Sequence, residues 1–119
     1  MNKKILICDD DEGILHMLSF ILEDAGFDTI GEANSLNIFK QIRNEQPDLL
    51  LLDLWMPVLT GDQVLKTLRV DPDKMNLPVI IISASMEGKN IASEAGANDF
   101  LAKPFDIEQL ISKVNSLIN

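Results

Sequence analysis

The sequence predicts one α/β domain built on a single open sheet of five parallel strands with helices on both faces. Three observations predict it: short runs that are apolar at nearly every position, intervening segments whose apolar residues recur at helical spacing, and alternation of the two along 119 residues. A strand without polar positions is buried on both faces, as parallel sheets require, and consecutive parallel strands need helical, right-handed crossovers.

The strands are expected at residues 5–8, 27–30, 49–52, 79–82 and 100–102, the second interrupted by Asp28 and Thr29. After the first run, Ile14, Leu18, Ile21, Leu22 and Ala25 mark a helix that stops at Gly26. Leu36, Phe39 and Ile42 mark the second, with Ser35 as its expected N-cap, and Val64, Leu65 and Leu68 the third. The fourth, over residues 87–95, is the weakest: it contains Gly88 and offers only Ile91, Ala92 and Ala95 as an apolar face. The fifth is the clearest, a stripe of Ile107, Leu110, Ile111, Val114, Leu117 and Ile118 behind Asp106 as N-cap.

Composition narrows the function. A length of 119 residues fits one domain. A net charge of -9, from 19 acidic and 10 basic residues, repels phosphate backbones and anionic lipid, so direct nucleic-acid or membrane binding is disfavoured. The single cysteine, Cys8, excludes an internal disulfide and ends an apolar run, where a thiol packs as a small hydrophobe. No signal-peptide core or membrane-length stretch is present, and a reducing cytoplasm is the expected location.

In open α/β sheets, ligands bind beyond the carboxyl ends of the strands. The residues found there are Asp9, Asp10 and Asp11 after the first strand, Asp53 after the third, Ser83 after the fourth and Lys103 after the fifth. Carboxylates from two strands brought together repel unless a hard cation lies between them, and Mg²⁺, which keeps positions open for phosphate, suits a site of two or three acids. Acids, one cation and one ammonium form a phosphoryl-transfer pocket, in which catalysis is positioning plus charge stabilisation. Asp53 can act as the nucleophile that becomes an acyl phosphate, while Lys103 and Ser83 bind its new oxygens. Taken singly, each residue has an ordinary role: acids cap the following helix, and a serine or lysine at a strand end is solvated. Four strand ends supplying complementary groups carry the argument.

These segments resemble the receiver domains of two-component response regulators over residues 1–119. The likeness rests on Ile5-Leu6-Ile7-Cys8-Asp9-Asp10, on residues 48–53 with Met56-Pro57 and Gly61, on residues 78–84 with Ser83-Ala84, and on the run from Gly96 to Phe105 that contains Lys103-Pro104. The resemblance implies a flavodoxin-like (βα)5 fold and Asp53 as phosphoacceptor. It implies Mg²⁺ held by Asp10, Asp53, Asp9 through water and the backbone carbonyl of Trp55, with Lys103 and Ser83 on the phosphoryl group and a cis peptide between Lys103 and Pro104. It implies a phosphohistidine donor on a sensor histidine kinase or histidine phosphotransfer protein, a downstream effector protein or domain, and no enzymatic role beyond assisting the domain's own phosphorylation and dephosphorylation. A homodimer is left open. Ser83 is expected to couple to Phe100, at a position where most relatives have tyrosine; this chain has none, so the coupling must act through packing. The surface expected to change comprises residues 85–95, 99–102 and 106–119.

Trp55, two residues past Asp53, is expected to overhang the pocket and shield the phosphoryl group from water. Competing readings are a phosphatase-like hydrolase using Asp9 and Asp11, which have the required spacing, and an interaction module that has lost its chemistry. The first lacks room for a cap domain and the second would lack an acid or the lysine. A nucleotide-binding domain is disfavoured because no Gly-rich loop follows the first strand.

Overall fold

The computed structural model describes residues 2–118. Met1 and Asn119, the end positions of the expected domain, lie outside the described residues.

Five strands and five helices alternate: β1 (Lys4–Cys8), α1 (Glu12–Asp24), β2 (Asp28–Glu32), α2 (Ile38–Glu45), β3 (Leu49–Asp53), α3 (Gly61–Arg69), β4 (Val79–Ser83), α4 (Gly88–Ala95), β5 (Asp99–Ala102) and α5 (Ile107–Ile118). All strand pairs are parallel, in the order β2-β1-β3-β4-β5. The period-2 geometry of a strand divides the core. Leu6, Cys8, Leu50, Leu52 and Ile81 face α2, α3 and α4, whereas Ile5, Ile7, Leu49, Leu51, Ile80 and Ile82 face α1 and α5. The three strands β1, β3 and β4 are thus buried on both faces, as their unbroken apolar runs demanded.

β2 starts one residue later than expected and runs to Glu32, because Phe27 is taken up in the turn that terminates α1. Gly26 adopts φ +100°, its N–H bonds Glu23 O and that of Phe27 bonds Leu22 O, both at 3.0 Å, which is the left-handed glycine termination of a helix. The expected N-cap Ser35 is corrected. Ser35–Asn37 instead form a 3-10 turn before α2; Asn34 caps that turn, its side chain accepting from Leu36 N–H at 3.0 Å, and α2 itself begins behind Asn37 without a side-chain cap bond. The turn leaves Leu36, expected on the apolar face, 59% exposed and diverts the Ser35 hydroxyl into the next loop. Asp106 caps α5 as expected, accepting from Glu108 N–H at 2.7 Å. No helix of the described residues is long and apolar enough to cross a membrane.

Candidate functional site

The chain leaves β1 for β2 on one side and returns to β3 on the other, so the strand order reverses between β1 and β3. The carboxyl ends of these two strands open the crevice in which ligands of such sheets bind. The register fixes what lies there: Cys8 pairs with Leu52, Asp53 with Ile82, and Ser83 with Ala102, so every polar residue singled out at a strand end reaches the same rim.

Asp9 follows β1 directly, and its N–H still bonds Glu32 O at 3.2 Å, extending the ladder. Its carboxylate is buried. One oxygen accepts from Asp11 N–H at 2.9 Å and the other from Lys103 Nζ at 3.0 Å. Asp53, the last residue of β3 and only 5% exposed, accepts from the same ammonium at 3.2 Å. Asp10 is exposed at the rim; it, Asp9 and Asp53 each present an oxygen within 4.8 Å of the others. Ser83 is buried on β4 between β3 and β5, its hydroxyl accepting from Ser85 N–H at 3.0 Å. Lys103 continues the pairing, donating its N–H to Ser83 O at 2.9 Å, and the Lys103–Pro104 peptide is cis.

Two buried carboxylates thus share one ammonium, with a third carboxylate, that of Asp10, close by at the rim, leaving excess negative charge. The consequence falls on Asp53, whose carboxyl is pushed from 3.8 up to about 6, first by burial and then by the charge of Asp9 and, to a lesser degree, Asp10, against the opposing pull of Lys103. For Lys103 itself, burial disfavours the charged form, but its hydrogen bond to Asp9 and the charges of Asp53 and Asp9 outweigh it, and the ammonium is held more firmly than usual. A pocket that strains to keep its central carboxylate ionised is short of positive charge, and its oxygen-only donors fit a hard divalent cation.

Asp11, the other acid after β1, turns away. It caps α1, accepting from Gly13 N–H at 2.9 Å and Ile14 N–H at 3.2 Å. The paired acids that a hydrolase reading of Asp9 and Asp11 needs therefore do not share one cleft. Trp55 lies just outside β3 with its side chain 51% exposed, and Phe100 is half-buried on β5.

Two glycines pack tightly against the site, and sequence reasoning assigned neither a role. A Cβ on Gly61 would stand 2.5 Å from the Asp53 carbonyl oxygen and 2.9 Å from Leu54 Cα. One on Gly88 would stand 2.9 Å from Ser83 Cβ, 3.0 Å from its Oγ and 3.1 Å from Phe100 Cε1. Gly88, read from sequence as a weakness of the fourth helix, is what lets α4 touch Ser83 and Phe100 together. Its signal was a glycine at the start of a helix, where propensity alone gives no reason for one.

Residues 5–115 match the family of the response regulator receiver domain. The chain belongs to that family. This receiver domain is 36% identical over 120 residues to the alkaline phosphatase synthesis transcriptional regulatory protein PhoP of Bacillus subtilis, a match covering 99% of the chain and 49% of PhoP. It therefore spans about half the length of such relatives. Among solved structures, the Francisella response regulator 1452 receiver domain is 37% identical with a TM-score of 0.89, the match covering 98% of this chain and 97% of that one. The chemotaxis protein CheY4 of Vibrio cholerae is 28% identical with a TM-score of 0.89, covering 98% and 99% of the two chains.

Proposed function

We propose that this receiver domain accepts a phosphoryl group on Asp53 from a phosphohistidine, borne by a sensor histidine kinase or a histidine phosphotransfer protein, in a Mg²⁺-dependent reaction in the cytoplasm. The supporting observation is the Lys103 ammonium, which bonds two buried carboxylates from different strands at 3.0 and 3.2 Å inside a cluster of three acids. An Asp53 oxygen attacks phosphorus in line; the new P–O bond forms as the P–N bond breaks, and the bonding pair leaves with the imidazole nitrogen. Lys103, steered by Asp9, donates to one phosphoryl oxygen, and the Ser83 hydroxyl, one strand away, donates to another. A bound Mg²⁺, held by Asp9, Asp10, Asp53 and the Trp55 backbone carbonyl, would neutralise charge on the transferred group. The domain catalyses nothing but its own phosphorylation and dephosphorylation.

Drawing Ser83 toward the phosphoryl group leaves space beside Gly88, into which the Phe100 ring turns. The surface of α4, β5 and α5 changes in consequence and controls an effector protein or domain. The contact of α4 with both Ser83 and Phe100 through Gly88 supports this coupling.

The test uses Trp55, the sole tryptophan. Emission is followed during Mg²⁺ titration and then on adding acetyl phosphate, in the parent and in Asp53→Asn. A donor response in the parent alone, with the label mapped to Asp53, is the expected result. A response that persists in the variant, or a label on Asp9, overturns the reading.

A further inference from the structure

Ser35 does not serve the helix that follows it. Its side chain is 3% exposed; the hydroxyl donates to Pro57 O at 2.7 Å and accepts from Leu59 N–H at 3.2 Å. Those two backbone groups also bond each other at 2.9 Å, closing a three-residue turn around Val58. Val58 lies at φ +73°, a region that β-branched residues avoid and that makes this form of γ-turn strained. The chain would not hold such a turn by local preference. A hydroxyl from an element 22 to 24 residues earlier bonds both of its ends.

This turn is the middle of the loop that leads away from Asp53. The loop's two ends are pinned elsewhere, by Leu54 N–H to Ile82 O at 2.9 Å and Gly61 N–H to Leu54 O at 2.7 Å, and the Met56 side chain is buried. Only Met56 separates Trp55 from Pro57. The direction of the Trp55 peptide is therefore set between the end of β3 and the turn that Ser35 braces.

We propose that Ser35 is a positioning residue for the phosphoacceptor site: by bracing the strained turn at Val58 it sets the Trp55 backbone carbonyl, and through it the affinity for Mg²⁺. The inference rests on the reading above, in which that carbonyl is a metal ligand. Removing the hydroxyl frees the turn to relax out of the left-handed region. Replacing Val58 by glycine removes the strain that drives the relaxation, because glycine enters that region without penalty.

The experiment compares the parent, Ser35→Ala, Val58→Gly and the double variant, each checked for cooperative unfolding in denaturant. Mg²⁺ is titrated by Trp55 emission, and acrylamide quenching of Trp55 is measured without metal. Ser35→Ala is expected to weaken Mg²⁺ binding about tenfold, the low end for loss of an outer partner of a metal ligand, and to change the metal-free quenching. Adding Val58→Gly is expected to recover most of both. Unchanged Mg²⁺ affinity in Ser35→Ala overturns the inference while leaving the phosphoacceptor reading intact. A loss that Val58→Gly does not relieve also overturns it, since Ser35 would then support the fold alone. A parent that gives no Mg²⁺ response at all overturns both.

Discussion

The Lys103 ammonium donates to the Asp53 carboxylate across 3.2 Å, although 50 residues separate the two in sequence. It is the only basic side chain paired with the acidic cluster among the described residues, and it bonds Asp9 as well. Truncation in Lys103→Ala leaves two buried carboxylates uncompensated, and charge-assisted hydrogen bonds of this kind contribute about 1.5–3 kcal/mol. Phosphorylation of Asp53 by acetyl phosphate is expected to slow by about 10–100-fold at saturating Mg²⁺, measured by mass spectrometry against time. An unchanged rate would remove Lys103 from the reaction.

Protonation of Asp53 links stability to pH. Its folded-state value of about 6 exceeds the ordinary 3.8, so between those limits the folded chain holds a proton that the unfolded chain has released. Stability accordingly falls as pH rises through that window and stays lower above it, by at most about 3 kcal/mol. In metal-free buffer at pH 7.5, Asp53→Asn is expected to unfold at higher urea than the parent, by about 1–3 kcal/mol. At pH 4 the difference should vanish. Mg²⁺ binding should weaken below about pH 6, as a proton competes for Asp53. Equal urea midpoints at pH 7.5 would show that the excess charge is relieved in some other way.

The two glycines against the site admit no methyl group without movement. Gly61→Ala places a Cβ 2.5 Å from the Asp53 carbonyl oxygen, and because the neighbour is backbone, a loss of about 3 kcal/mol is expected. Gly88→Ala meets side-chain atoms instead, which can shift more readily than backbone, so the overpacking is milder. Its stability should change by no more than about 2 kcal/mol, while the α4 surface shifts even without phosphorylation. Amide chemical shifts in residues 85–95 report this directly; shifts identical to the parent would separate α4 from Ser83 and Phe100.

Half of the Trp55 surface is exposed, beside the strand end that carries Asp53. If the ring shields the acyl phosphate, Trp55→Ala should dephosphorylate several-fold faster than the parent in Mg²⁺ buffer, with label loss followed by mass. A lifetime no shorter than the parent's would leave Trp55 as a packing or partner residue.

How far the sequence reaches depends on the range of the interaction that fixes each feature. Burial on both faces leaves no polar position before the last residue of β3 or β4, so these strands and the polar residues that end them are readable directly, as is the meeting of Asp9, Asp53 and Lys103 once the strands are parallel. Edge strand β2 is half solvated, so its bounds follow the Gly26 helix termination more than any apolar pattern. Ser35 and Asn34 are equally good caps by residue type; which one caps depends on a hydroxyl acceptor at Pro57, a partner no local window contains. Asp11 and Asp10 are likewise indistinguishable until α1 takes one of them. Gly88 is understood only when Ser83 and Phe100 are beside it.

Because all five residues of β3 are buried, the strand acts as a ruler for the carboxylate at its tip. Inserting one amino acid between Leu49 and Asp53 would advance the tip by about 3.3 Å and turn every following side chain to the opposite face. The segment at 70–78, which feeds the far rim through Val79, is about a strand length away, roughly 17 Å for five residues. An affinity tag or reporter peptide spliced there should leave phosphoryl acceptance untouched, which makes that bend the natural attachment point for following this domain in a living cell.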